Sequence, residues 1–189
     1  MTSATALPLR LVRASAPPLR AVGSLTLRDA TPDDARAIHT LISTHQDEGH
    51  LLPRQLSEVA VHAHRFVVAA DEEQVVACAD LAPLSRTLAE VRSLVVADAS
   101  RSYGVGRQLI DALIARASNA GFERLCAFTH SPRYFVQLGF SIVPHEWLSE
   151  KIYADCGTCA RFRRCGQYAV MLPLTGTRHS RSALGSLHG

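Results

Sequence analysis

A turn rich in basic residues and glycine, at residues 98–107, carries the clearest chemical pattern in the chain. It follows the apolar run Leu94–Ala97 and leads into a segment with apolar residues along one helical face. The first N–H groups of a helix lack partners within it, and the helix dipole adds positive charge there. This strand–turn–helix therefore predicts an anion site, where Gly104 and Gly106 would let a bulky anion approach the backbone.

Other nucleotide-binding turns need different spacings. A dinucleotide fingerprint requires Gly-x-Gly-x-x-Gly and a P-loop requires Gly-Lys-Ser/Thr, and neither occurs in this turn. The alternative is a glycine-containing turn that merely precedes a core helix.

A carboxylate lies upstream on the same predicted strand. Glu90, Arg92 and Leu94 alternate along it, so we expect the three side chains on one face of the sheet. Glu90 is a candidate general base for an ammonium group, directly or through water. The alternative is a surface ion pair between Glu90 and Arg92 on an exposed strand face.

Arg54 follows Leu51-Leu52-Pro53 at the start of a predicted helix. Arginine binds carboxylates through two parallel hydrogen bonds, so this position suits an acidic ligand. A solvated arginine in a first helical turn is the alternative, and the pattern alone leaves both open.

One possible metal site is a zinc site formed by the three cysteines of Cys156-x-x-Cys159-x5-Cys165, with His145 as the fourth ligand. A second Cys-x-x-Cys is absent from the sequence, so we expect free thiols and no metal. His62 and His64, two residues apart on a predicted helix, point in different directions and do not form a ligand pair.

The elements that would position these residues follow the order β-α-α-β-β-β-α-β-α-β-β. Thr31 and Pro32 mark the start of the first helix, and Gly121 marks the end of the helix after the basic turn. The order predicts a mixed α/β fold with a mostly antiparallel central sheet flanked by helices.

Arg101-x-x-Gly104-x-Gly106 resembles the coenzyme A pyrophosphate loop of the GCN5-related N-acetyltransferases (GNAT). The element order and Leu138-Gly139-Phe140 extend that resemblance over a domain at residues 24–174. Three segments are similar to the single-domain form of bacterial N-acetylglutamate synthase: Leu51–Arg54, Glu90–Val96 and Trp147–Cys159.

The resemblance implies acetyl-CoA as co-substrate and direct attack by an amine in a ternary complex, without a metal. The strand would pair its backbone with the pantetheine arm, and the N–H of Leu94 or Val95 would form the oxyanion hole. The implied cofactor-binding residues are Leu94, Val95, Val96, Arg101, Ser102, Tyr103, Gly104, Val105, Gly106 and Arg107.

The resemblance also implies L-glutamate, or L-glutamine, as the acceptor in the first step of arginine biosynthesis. One carboxylate would meet the Leu52 N–H and the other the Arg54 guanidinium. Arg92, the Ser93 backbone and Lys151 are further candidate substrate contacts.

The general acid departs from the family pattern. Many relatives place a tyrosine four residues before the glycine of Gly-Phe, where this chain has Phe135, and Tyr134 lies about 100° away on the helix. Thr129 or a water is the alternative acid.

The composition of the chain limits which kinds of partner and which cellular location it is expected to have. Among 189 residues the net charge is +3, the arginines are scattered and no apolar run has membrane-span length, so we expect neither nucleic-acid nor membrane partners. Five cysteines without a secretory signal favour reduced thiols and a cytoplasmic location. A homodimer is expected because dimers are common for the fold.

Residues 1–23 are predicted to be a disordered leader, and residues 175–189 a disordered tail. An acid-free, arginine-containing leader also fits an organelle transit peptide, which would place the protein in an organelle matrix. An unstructured bacterial extension or a mis-assigned start codon would explain the same residues. Two other functions stay open: acetylation of another amine or a protein N-terminus, and non-catalytic acyl-CoA binding.

Overall fold

The computed structural model describes residues 25–46, 51–72, 74–159 and 162–174. The predicted leader and tail therefore lie outside the described residues. Within the described part, no helix is both long enough and apolar enough to cross a membrane.

Among the described residues, seven strands form one sheet in the order β1-β2-β3-β4-β5-β7-β6. All neighbours are antiparallel except β4 and β5, which confirms the predicted mixed, mostly antiparallel sheet. The strands are β1 Leu25–Asp29, β2 Phe66–Asp71, β3 Gln74–Pro83, β4 Leu88–Val96, β5 Arg124–Thr129, β6 Ser141–Val143 and β7 Tyr168–Pro173.

Helices cover both faces of the sheet. The helices are α1 Ala35–Thr44, α2 Leu56–Val61, α3 Val105–Asn119, α4 Pro132–Val136 and α5 Ser149–Ala154. Apolar residues of α3 pack on one face of β2–β5, and those of α1 and α2 pack on the other. The sequence prediction contained every helix except α5, which has only six residues and so a very short periodic pattern.

Strands β4 and β5 separate soon after they meet. Their parallel pairing covers only Leu88–Glu90 against Arg124–Cys126, and none of the residues from Val91 to Val96 pairs with β5. The two strands therefore diverge and leave one side of the β4 backbone facing an opening.

A β-bulge in β4 changes which side chains share a face. The register with β3 shifts between Cys78 and Asp80, and Ser93 adopts a left-handed φ of 49°. Leu94 consequently packs in the cluster under α3, with Val91. The expectation that Leu94 shares a face with Glu90 and Arg92 is wrong, because the extra residue of the bulge interrupts the alternation.

An ion pair joins β1 to the turn that starts α1. The Arg28 guanidinium donates to both Asp34 oxygens, at 2.7 and 2.8 Å, and the Thr31 N–H donates to Asp34 Oδ2 at 2.7 Å. The hydrogen bonds from Arg28, aided by Thr31, lower the pKa of Asp34 to about 2.

We predict that Asp34→Asn destabilises the protein by about 1–2 kcal/mol at pH 7, since it removes a charged hydrogen-bond acceptor at a helix start. Because the folded pKa of Asp34 lies below its ordinary value of 3.8, the stabilisation is present above pH 4. It is lost as the pH falls toward 2. Urea unfolding of wild type and variant at pH 7 and pH 3 measures both effects, with Asp33→Asn on the exposed side of the turn as control. An equal difference at the two pH values would contradict the assignment.

Candidate active site

The opening between β4 and β5 is part of a cleft of about 1470 Å³. A typical small-molecule pocket has about 300–1000 Å³, so this cleft has room for two ligands together. It brings together the predicted site residues Leu52, Arg54, Glu90, Arg92, Ser93, Leu94, Val95, Val96, Arg101, Ser102, Gly104, Val105, Gly106, Arg107, Thr129 and Lys151. Tyr103 is not among the lining residues, and its side chain is partly exposed.

One end of the cleft is the turn before α3. Gly104 is the residue before the first turn of that helix and has a φ of 77°, and Ser102 has a φ of 68°. This left-handed backbone turns the chain so that the N-terminus of α3 faces the cleft, as an anion site requires. Arg101 donates from Nε to the Val96 carbonyl at 3.1 Å and pairs with Asp98 at 3.0 Å.

Gly106 lies against an aromatic hydroxyl. A Cβ at this position would come within 2.7 Å of the Tyr134 hydroxyl oxygen and 3.6 Å of a Val96 methyl group. Glycine is therefore required here for close packing between the first turn of α3 and α4.

The backbone of β4 presents donors to the opening. The Ala97 N–H donates to the Val76 carbonyl of β3 at 2.8 Å, and N–H direction alternates along a strand. Counting back from Ala97, the N–H groups of Val96 and Leu94 point away from β3, whereas that of Val95 points toward it. The Arg101 bond to the Val96 carbonyl agrees with this direction.

The other end of the cleft contains a closed ring of four ion pairs, formed by Glu90, Arg92, Lys151 and Asp155. The Lys151 ammonium lies 2.8 Å from a carboxylate oxygen of Glu90 and 2.8 Å from one of Asp155. The Arg92 guanidinium bonds both carboxylates as well. We call these four residues the charge ring.

Glu90 is buried, with 2% of its surface exposed. The ion pair with Arg92 that the alternative named is present, but the alternative is wrong in placing it on an exposed strand face. The parallel pairing with Cys126 and the contact with Lys151 of α5 cover this part of β4. Lys151 is also buried, and its ammonium lies 5.4 Å from the centre of the Phe128 ring.

Arg54 lies beside the charge ring in a second set of ion pairs. It bonds Glu58 and lies 3.3 Å from Asp80, whose carboxylate also receives two hydrogen bonds from Arg65 at 3.0 and 2.9 Å. Only 13% of the Arg54 side chain is exposed, so the alternative of a solvated arginine is wrong. Burial raises the pKa of Asp80, an effect that the charges of Arg65 and Arg54 partly offset.

The Arg54 backbone is fixed from α1. The His39 Nε2 donates to the Arg54 carbonyl at 3.1 Å, which orients the segment that carries Leu52. Leu52 itself is 54% exposed at the cleft.

Thr129 and Tyr134 bring hydroxyls to the cleft near the end of β5. Thr129 Oγ1 accepts a hydrogen bond from the Ser131 N–H at 2.9 Å, which leaves its own proton free to be donated. Tyr134 is half-buried, and burial, together with the charge of Asp111, raises its pKa. The phenol is therefore protonated at neutral pH and able to donate.

The cysteines are free thiols in the structure. Burial raises the pKa of Cys78 to about 12 and also raises that of Cys126, so both are inert thiols. Cys156, Cys159 and Cys165 are partly exposed, and the described residues contain no group of three or more His, Cys, Asp or Glu able to hold a metal ion.

Sequence reasoning did not identify the acidic partners Asp155, Asp80 and Glu58. Asp155 follows Lys151 by four residues, a spacing that brings charges together on a helix. Had α5 been predicted, that spacing would have indicated the pair. Glu58 follows Arg54 by four residues as well, so its pairing had the same signal. Asp80 carries no comparable signal, because its contacts with Arg65 and Arg54 depend on how α2 meets β3.

A family model described as the acetyltransferase (GNAT) family matches residues 27–140. An uncharacterized N-acetyltransferase of Chlorobaculum tepidum is 30% identical over 148 residues, which are 78% of this chain and 96% of that protein. An amino-acid acetyltransferase of Pectobacterium carotovorum is 28% identical over 127 residues. That alignment covers 66% of this chain but only 29% of the longer relative.

Solved structures have the same fold. The N-acetylglutamate synthase of Neisseria gonorrhoeae, complexed with coenzyme A and N-acetyl-glutamate, is similar over 79% of this chain and 35% of its own, with a TM-score of 0.70 and 22% identity. A Mycobacterium tuberculosis protein in complex with CoA and NLQ is similar over 79% of this chain and 99% of its own. Its TM-score is 0.68 and its identity 23%.

We predict that Gly106→Ala destabilises the protein by about 1–2 kcal/mol and weakens CoA binding, because the new methyl group would clash with the Tyr134 hydroxyl. Tyr134→Phe removes that oxygen and leaves the nearest remaining ring atom, Cζ, at an ordinary 3.7 Å. The double variant should therefore recover most of the loss. Urea unfolding and calorimetric CoA titration of both single variants and the double variant measure this. Additive losses in the double variant would exclude the clash as the cause.

Proposed function

The chain belongs to the acetyltransferase (GNAT) family, and from that premise we propose that it transfers the acetyl group of acetyl-CoA to the α-amine of L-glutamate or L-glutamine. The observation that carries the proposal is the convergence of Arg54, Arg92 and Lys151 at the end of the cleft that also holds Glu90. Cations at that end suit an acceptor with carboxylates, and the buried carboxylate suits its ammonium.

The donor would lie along β4. Its pyrophosphate would accept hydrogen bonds from the N–H groups at the start of α3, where Gly104 and Gly106 permit close approach. Its pantetheine arm would extend β4 as an added strand in the opening toward β5. The thioester would then reach the bulge at Ser93, close in sequence to Glu90.

The alternating N–H direction favours Leu94 over Val95 as the oxyanion donor. The Val95 N–H points toward β3, whereas the Leu94 N–H points into the opening where the thioester carbonyl would lie. A fixed backbone donor of this kind stabilises the tetrahedral intermediate without reorganisation.

The Glu90 carboxylate retains one lone-pair site that can accept a proton. A carboxylate offers about four lone-pair sites. Arg92 and Lys151 use both oxygens in three contacts: Oε2 with Arg92 Nε and with Lys151, and Oε1 with Lys151 alone. The remaining site, on Oε1, suits the ammonium of an acceptor or a bridging water.

The hydroxyls of Tyr134 and Thr129 are the two candidates for protonating the departing thiolate. Tyr134 lies in α4 with its hydroxyl beside Gly106 of α3, and Thr129 lies at the end of β5, where β4 and β5 are apart. Both side chains keep a donor proton at neutral pH, so we propose that either hydroxyl, or water held by it, serves as the acid.

The comparisons add independent support for an amino-acid acceptor. Relatives in Pectobacterium and Ralstonia are described as amino-acid acetyltransferases, and a structural neighbour holds N-acetyl-glutamate. A role in arginine biosynthesis and a homodimer stay predictions of the resemblance, and a cytoplasmic location stays a prediction from the cysteine content.

The acceptor is tested by measuring CoA release from acetyl-CoA with a panel of amines. We expect glutamate or glutamine to give a kcat/KM at least tenfold above alanine, lysine, 4-aminobutyrate and a short peptide with a free N-terminus. Turnover of the peptide or of a carboxylate-free amine alone would favour another acetyltransferase function. CoA binding without turnover of any amine would favour a binding module.

Glu90→Gln should lower kcat by about 10²–10⁴-fold, because general-base catalysis contributes factors of that size. CoA affinity should stay within twofold of wild type, since Glu90 lies at the opposite end of the cleft from the α3 turn. Stopped-assay kinetics and CoA titration measure both quantities. Glu150→Gln is the matched control, since Glu150 pairs with Arg124 at 2.9 Å and does not line the cleft. A Glu90→Gln enzyme with wild-type kcat would contradict the assignment.

A further inference from the structure

Asp155 is the outermost member of the charge ring. Its side chain is 36% exposed, against 3% for Glu90, 10% for Lys151 and 20% for Arg92. It follows the last residue of α5 and lines the cleft. Of the two carboxylates in the ring, it is therefore the one that an incoming molecule meets first.

The charges of the site are already balanced without a ligand. In the ring, Arg92 and Lys151 face Glu90 and Asp155. In the neighbouring set, Arg54 and Arg65 face Glu58 and Asp80. A ligand carboxylate that joined Arg92 and Lys151 would need the donors that Asp155 Oδ2 already occupies, the Arg92 Nη2 and the Lys151 Nζ.

One of the two ring carboxylates must therefore withdraw when a ligand carboxylate binds these cations. Glu90 lies in the middle of the sheet, where its backbone pairs with Cys126 of β5, and only 2% of its surface is exposed. Asp155 lies on a short helix end at the cleft surface and can rotate toward solvent. The hydrogen bond from Lys151 and the charge of Arg92 outweigh the effect of burial and lower the pKa of Asp155, so it competes as an anion at neutral pH.

We propose that Asp155 occupies, in the acceptor-free protein, the position of the acceptor's α-carboxylate on Arg92 and Lys151, and that the acceptor displaces it on binding. This inference rests on the proposed function and specifies the part of the site that binds the α-carboxylate. Arg54 is then left for the distal carboxylate or amide of the side chain.

Displacement makes Asp155 a determinant of acceptor specificity. An amine without an α-carboxylate offers no replacement partner for the two cations, so Asp155 stays in place and such an amine gains no ion pair with Arg92 and Lys151. An α-amino acid replaces the lost ion pairs with its own. The ring thus selects for the carboxylate next to the reacting amine.

The test uses glutarate, which has the two carboxylates of glutamate but no amine to acetylate. Calorimetric titration of the CoA-loaded full chain should give a glutarate Kd at least fivefold lower for Asp155→Asn and Asp155→Ser than for wild type. Glu150→Gln, on the same helix but outside the cleft, should bind glutarate like wild type. CoA affinity should be equal in all four proteins, which also checks that they fold.

Unchanged or weaker glutarate binding in both Asp155 variants, with CoA affinity retained, would overturn the proposal. Loss of folding in both variants would also overturn it, because Asp155 would then be a structural link between α5 and β4. In turnover assays, Asp155→Asn should lower the KM for the preferred amino acid but not that for acetyl-CoA. The proposed function would fail separately, if the enzyme acetylated no amino acid. The glutarate titration measures binding alone and does not depend on turnover.

Discussion

The separation of β4 from β5 is the constraint on which the rest of the site depends. Two neighbouring parallel strands normally share hydrogen bonds along their length, but these share them only up to Glu90 and Cys126. Beyond that point, the bulge at Ser93 rotates the end of β4 and frees the N–H groups of Leu94 and Val96. An unpaired strand edge offers N–H and C=O groups that can pair with another extended chain, so this opening suits an extended ligand.

The two ends of the cleft differ in how far apart in the sequence their residues lie. The α3 turn is local: its left-handed residues, its helix start and its glycines lie within a few positions of one another in sequence. The charge ring is not local, because Lys151 and Asp155 lie more than sixty residues from their partners on β4. Only the folding of α5 against the sheet brings them together.

That difference explains how much could be predicted from the sequence. The order of strands and helices, the anion site before α3 and the pairing of Glu90 with Arg92 follow from local patterns. The burial of Glu90, its bond to Lys151 and the presence of Asp155 require knowledge of α5, whose six residues show too little periodicity. The side on which Leu94 lies could not be predicted either, since one extra residue in a strand reverses every later side chain.

The charge ring is better explained by function than by stability. Replacing buried ion pairs with apolar residues is often neutral or stabilising, whereas leaving one buried charge unpaired costs about 3–5 kcal/mol. A site that must present two cations to a carboxylate therefore needs an internal anion whenever the ligand is absent. Glu90 alone cannot neutralise both Arg92 and Lys151, and a second fixed, buried carboxylate would exclude the ligand permanently. A carboxylate at the exposed end of a short helix meets both requirements, because it stabilises the empty site and can leave it.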